Sequence, residues 1–164
     1  MAKFSLDIVS NYDKAEMNNV FDQTKREISS RYDLKNTKAS IDWLENKVGI
    51  KVLGDNDFHI EAILDIFRKK LASRSLSQKV LDLSEPATTS NLIVTQVVKF
   101  KSGINKEQAK KMTSLIRDTF PKVNSSIQGE EVRVMSPKKD ELQAVMNYIK
   151  NYDFDFPVAF TNFR

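Results

Sequence analysis

The chain has 164 residues, 40% of them hydrophobic, and a net charge of +4 from 26 lysines and arginines against 22 acids. That is enough apolar material to bury a core, while no stretch approaches the roughly 20 apolar residues of a bilayer-spanning helix. The absence of cysteine excludes disulfides, thiolate metal sites and cysteine nucleophiles, and it fits a cytoplasmic protein, as does an N-terminus without the apolar run of a signal peptide.

In chain order, period-2 and period-3.6 apolar patterns predict a strand at 4–9, a helix at 13–32, strands at 37–43 and 49–53, a helix at 56–73 and a strand at 78–83. A polar, proline-punctuated linker follows at 84–91. Then come a strand at 92–100, a helix at 105–120, strands at 123–128 and 131–135, a helix at 137–151 and a strand at 156–163. Asp13 with Glu16 and Asn105 with Gln108 read as capping boxes, and Ser136 before Pro137 reads as a helix start.

The same order occurs twice because the sequence is duplicated. Ile50, Val52, Ile60, Ile63, Leu64 and Phe67 recur 82 residues later as Val132, Val134, Leu142, Val145, Met146 and Ile149. Upstream, Phe21, Thr24, Ile28 and Tyr32 match Ala109, Met112, Ile116 and Phe120 at a spacing of 88, giving each helix a core-facing stripe. Strand-helix-strand twice over is the βαββαβ unit, so the expected fold is α+β: tandem ferredoxin-like units at 1–87 and 88–164, each an antiparallel sheet with two helices.

Charge marks one segment. Between Lys99 and Lys122 stand seven basic residues and two acids. That excess, with Lys110 and Lys111 on the helix, suits a phosphate-bearing partner; it equally suits a solvated helix face. Lys101 and Gly103, in a short glycine loop before the helix at 105, form a candidate phosphate site or an ordinary strand-to-helix turn. With Leu6, Ile8, Ile50 and Val52 facing the helices, Asp7, Lys51 and Arg133 fall on the open sheet faces, as ligand contacts or as a structural charge set.

Other chemistry is thin. The open faces carry no aromatic platform and no Lys/Arg-Gly-Phe/Tyr signature. His59, the only histidine, reads as a half-exposed helix residue, and Trp43 as packing. The Gly129-Glu130-Glu131 turn adds negative charge where an acylphosphatase-type phosphate loop needs converging amides. There is no glycine-rich dinucleotide motif and no Walker loop. No catalytic, metal or cofactor site is therefore expected.

Several segments stand in an order that resembles the YajQ family of bacterial nucleotide-binding proteins from end to end: Ser5-Leu6-Asp7-Ile8-Val9-Ser10, Ser30-Arg31-Tyr32-Asp33-Leu34, Asp57-Phe58, Leu64-Asp65-Ile66, Ile127-Gln128-Gly129-Glu130-Glu131-Val132-Arg133-Val134, Asp140-Glu141-Leu142-Gln143-Ala144-Val145-Met146 and Phe160-Thr161-Asn162-Phe163-Arg164. The resemblance implies that the first strands, 4–9 and 92–100, are exchanged between the units. It also implies a non-enzymatic, monomeric protein that holds a nucleotide, cyclic di-GMP, RNA or tRNA in a cleft between the units. On that reading Arg31, Lys139 and Arg164 join Asp7, Lys101, Gly103, Lys110, Lys111 and Arg133 as ligand-binding residues. Lys139 replaces a frequent family arginine, a point charge in place of a fork. The alternative is a protein-interaction or transcription-cofactor module with a basic surface.

Overall fold

The structure, a computed structural model, describes residues 3–164. Its elements are β1 (Phe4–Val9), α1 (Lys14–Ser30), β2 (Ser40–Trp43), β3 (Gly49–Gly54), α2 (Asp57–Ser73), β4 (Leu81–Asp82), β5 (Thr88–Ser90), β6 (Ile93–Phe100), α3 (Lys106–Thr119), β7 (Asn124–Gln128), β8 (Glu131–Ser136), α4 (Lys139–Asn151) and β9 (Ala159–Thr161). The class is α+β, with antiparallel sheets and repeated ferredoxin-like units.

Side-chain caps set the helix starts. The Asp13 carboxylate accepts from the Glu16 amide at 3.0 Å, Asn56 accepts from the His59 amide, and Asn105 and Gln108 form a complete reciprocal box. At α4 the start lies beyond Ser136: Lys138 is the capping position. The Ser136 hydroxyl accepts from the Lys138 amide and donates to Glu141, at 3.1 and 2.6 Å, which fixes the chain's entry into the helix.

One compact unit runs from Tyr12 to Lys101. Its sheet has the order β2-β3-β6-β4, with β5 also paired to β6. Phe21 and Ile28 of α1 and Ile63 and Phe67 of α2 share a core with Ile50, Val52 and Val98 of the sheet. Trp43 is packing, as expected, its ring stacked on Phe21 at 4.2 Å. Tyr32 is not: it is 90% exposed, because α1 ends at Ser30 and Arg31 is already extended. The helical stripe therefore stops at Ile28, and Leu34 from the following turn enters the core instead.

The other unit comprises Ser102–Arg164 and the chain's first residues through Asn11. Its sheet has the order β7-β8-β1-β9. β1 runs antiparallel to β8 from Phe4↔Ser136 to Ile8↔Val132 and pairs with β9 on its other side. Leu6 and Ile8 are buried with Met112, Ile116, Val134 and Val145. Thus β1 pairs with strands from the second half of the sequence, while β6 pairs with β3 and β4 from the first half.

Three segments differ from the sequence expectation. The strand at 78–83 is a short 3-10 turn followed by a two-residue strand. The strand at 156–163 is reduced to Ala159–Thr161, and the preceding Phe154 and Phe156 are core residues, 4% and 3% exposed. The linker holds strand β5, which closes on β6 through a two-residue turn at Asn91-Leu92.

Candidate functional site

On the sheet face away from α3 and α4, Asp7 of β1 lies directly opposite Arg133 of β8. Arg133 Nε donates to Asp7 Oδ1 at 2.9 Å. Asn162 Nδ2 donates to Asp7 Oδ2, also at 2.9 Å. Asn162 reaches it through a bulge: after Asp7↔Thr161 the next backbone pairing is Ser5 with Arg164, at 3.1 and 3.0 Å. The extra residue, Asn162, takes φ of +56°. The hydrogen bond from Arg133 holds the Asp7 carboxyl below its ordinary range against the opposing effect of burial, with further help from Asn162 and from the charges of Arg133 and Arg164. Arg133 is shifted upward by the same pairing. Lys51, the third member of the expected charge set, sits in the other sheet, opposite Asp42 and Val97.

The helix-facing side of the same unit carries a groove of about 240 Å³ beside α4 and β1. Its floor is apolar, from Phe4, Leu142, Met146 and Phe163, and its polar members include Gln143, Lys139 and Arg164. Phe163 is 61% exposed. Two expected site residues, Lys139 and Arg164, are thus brought together. Met146 and Phe163 stand in the repeat and in the segments that carry the family resemblance, but neither they nor Phe4 was expected as a site residue. The adjacency of Phe163 to Arg164 was the available signal.

The glycine loop reads differently in three dimensions. The Gly103 amide donates to the Ser10 carbonyl at 2.6 Å, and the Ile104 amide to the Glu130 carbonyl at 2.9 Å. The capping box occupies the amides of Asn105 and Gln108. A Cβ on Gly103, whose φ is +84°, would meet the Glu130 carboxylate at 2.7 Å. Glycine therefore serves a close approach here, and the amides at 103 and 104 already have acceptors.

The remaining expected site residues are dispersed. Lys110 and Lys111 are exposed on α3, Lys111 Nζ standing 5.5 Å from the Tyr152 ring centre. Lys101 lies in the Tyr12–Lys101 unit, where its amide donates to Val80. Arg31, in that same unit, pairs with Asp33 at 2.8 Å and with Glu27 at 3.9 Å. His59 has a local role: its Nδ1 accepts from the Asp55 amide at 3.0 Å, closing the turn before α2. Among the described residues no acidic or histidine cluster is placed to hold a metal ion, and no helix is long and apolar enough to cross a membrane.

Comparison with known proteins gives one consistent result. The family described as "Nucleotide-binding protein YajQ-like" matches residues 4–164. A protein of a Nocardioides species, named "Nucleotide-binding protein", is 46% identical over 165 residues, covering all of both chains. A protein of the same name from Trichodesmium erythraeum is 45% identical over 160 residues, covering 98% of this chain and 97% of its own. One from Chloroherpeton thalassium is 40% identical over 161 residues, covering 98% of each.

Proposed function

This chain belongs to the YajQ-like family, and from that premise we propose that it binds nucleotides without catalysing a reaction on them, the ligand being a mononucleotide, cyclic di-GMP or an RNA strand. The names of its relatives support the general class. On the chain's own residues, the observation that carries the reading is the groove that sets Lys139 and Arg164 beside an apolar floor containing Phe4, Met146 and Phe163. A nucleotide has the complementary halves: a flat, weakly polar base and an anionic phosphate. The base lies against Phe163, as bases do on aromatic side chains, and the phosphate meets the two cations. Gln143 supplies an amide for a base edge.

Titration calorimetry with ATP, GTP, cyclic di-GMP and a short RNA tests this on the wild type, a Lys139→Gln/Arg164→Gln double variant and Phe163→Ala. Saturable binding that weakens by about tenfold or more in the double variant is expected, as for the loss of one or two charge-assisted contacts. Undetectable binding of every nucleotide to the wild type refutes the function. Binding that both variants leave untouched refutes the groove.

A further inference from the structure

Strand β7 stands at one edge of the four-stranded sheet. Sheet edges are ordinarily blunted by shortness, charge, proline or a bulge, and the other edges here follow that rule. β4 has two residues, β5 has three, β9 has three and runs into the Asn162 bulge, and β2 carries Asp42 among its four. β7 has none of these devices. Its five residues, Asn124, Ser125, Ser126, Ile127 and Gln128, include no charge and no proline and pair with β8 in unbroken register.

Beside this edge runs a groove of about 500 Å³, lined by Thr113 and Arg117 of α3, by Pro121 and Val123 of the connecting loop, and by β7 itself. Ala109, Met112 and Ile116 are the buried face of α3. The next residue in each case, Lys110, Thr113 and Arg117, therefore shares a neighbouring stripe, which Lys106 extends by one turn. The helix's acids, Glu107 and Asp118, lie about 100° further round. Among the described residues the Arg117 guanidinium is hydrogen-bonded to the Ser114 hydroxyl at 3.3 Å and paired with no carboxylate.

We propose that this groove takes an extended, acidic segment of a partner protein, added to β7 as a fifth strand. An edge strand next to a helix is the arrangement in which a peptide gains backbone hydrogen bonds from the sheet and side-chain recognition from the helix. The outward amides and carbonyls of β7 fit the spacing of another strand. The cationic stripe selects acidic side chains on the segment's helix-facing positions. Ile127, 40% exposed, offers an apolar contact at the far end. The groove lining contains no aromatic side chain on which a base could stack, so an extended polypeptide suits it better than a nucleic acid strand.

The test uses a fluorescent peptide of alternating glutamate and valine, its lysine-valine counterpart, an alternately N-methylated glutamate-valine peptide, and an oligothymidylate as probes for the full chain. Binding read by anisotropy should appear for the acidic peptide and not for the basic one. It should fall by about tenfold or more on N-methylation, which removes strand hydrogen bonds, and in Lys110→Glu/Arg117→Glu, whose exposed sites leave the fold intact. Amide shift changes should centre on residues 124–128. Absence of binding overturns the proposal, as does equal affinity for the N-methylated peptide. Oligothymidylate binding that moves the same amides while the acidic peptide fails to bind, or self-association through them, reassigns the groove and also overturns it.

Discussion

Arg133 reaches Asp7 across 126 positions of sequence and holds it with a 2.9 Å hydrogen bond on adjacent strands of one sheet. The Asp7 side chain is 4% exposed, so its charge depends on this partner and on Asn162. Replacing Asp7 by alanine removes the acceptor for both donors. A loss of about 1–3 kcal/mol at neutral pH is expected from chemical denaturation.

The same pairing predicts a pH dependence. The folded-state pKa of Asp7 is lowered from its ordinary value near 3.8. Its contribution to stability is therefore fully present above that value and is lost as pH falls through the lower folded value. Stability of the wild type minus that of Asp7→Asn, followed from pH 7 downward, should shrink only below the ordinary carboxylate range. A difference that already vanishes near pH 6, or does not shrink at all, contradicts the assignment.

The pairing of β1 with β8 and β9 makes the start of the chain part of the unit that contains α3 and α4. Read as an exchange of first strands, it predicts that removing residues 1–10 damages the unit at 102–164 and spares 12–101. Burial of Leu6 and Ile8 contributes about 1.5–3 kcal/mol each, comparable to the whole stability of a unit this small. Hydrogen exchange should show protection lost beyond residue 102. Loss confined to residues 13–83 argues against the exchange.

Legibility followed the range of the interaction. The repeat of Ile50 through Phe67 as Val132 through Ile149 was visible, because apolar spacing along one element fixes which face is buried. Asp7 and Arg133 were also legible as members of one charge set, but their direct pairing and the absence of Lys51 from it were not. Leu6 and Ile8 present the same apolar face whichever sheet receives them, and only the register with β8 puts Arg133 opposite. Tyr32 was misread because a helical period carries no information about the residue at which the helix stops. The groove of Lys139 and Arg164 escaped for a related reason: its floor joins β1, α4 and the last two residues, which no local pattern links. For Gly103 the sequence showed the turn but not the Ser10 carbonyl that takes its amide, nor the Glu130 carbonyl that takes the amide of Ile104.

The β5–β6 turn carries a correctable local cost. Asn91 and Leu92 have φ of +53° and +67°, the geometry of a two-residue type I′ hairpin between Ser90 and Ile93. Asparagine tolerates it, whereas leucine pays with its Cβ and is 82% exposed, so it gains no burial in return. Leu92→Gly should raise stability by about 0.5–1 kcal/mol, the larger entropy of the unfolded glycine offsetting part of the relief. Thermal denaturation should show a midpoint higher by a few degrees. An unchanged or lowered midpoint would mean that the left-handed pair is not the constraint it is taken to be.

The basic segment gives the last prediction. Lys101, Lys110 and Lys111 lie outside the buried stripe of Ala109, Met112 and Ile116, so replacing all three by glutamine should leave the fold intact. Loss of the Lys111 contact with the Tyr152 ring costs about 0.5–1 kcal/mol at an exposed site, too little to unfold the chain. If these lysines neutralise phosphates of an RNA strand, the slope of log affinity against log salt should fall by about 0.7 per lost contact, roughly 2 in all. Binding should weaken without disappearing, because Arg133 and Arg164 remain. A mononucleotide confined to the groove of Lys139 and Phe163 should be nearly indifferent to the triple substitution, so comparing the two ligands separates a backbone-tracking surface from a local site. Wild-type affinity and salt slope for every RNA tested would identify this segment as a solvated helix face.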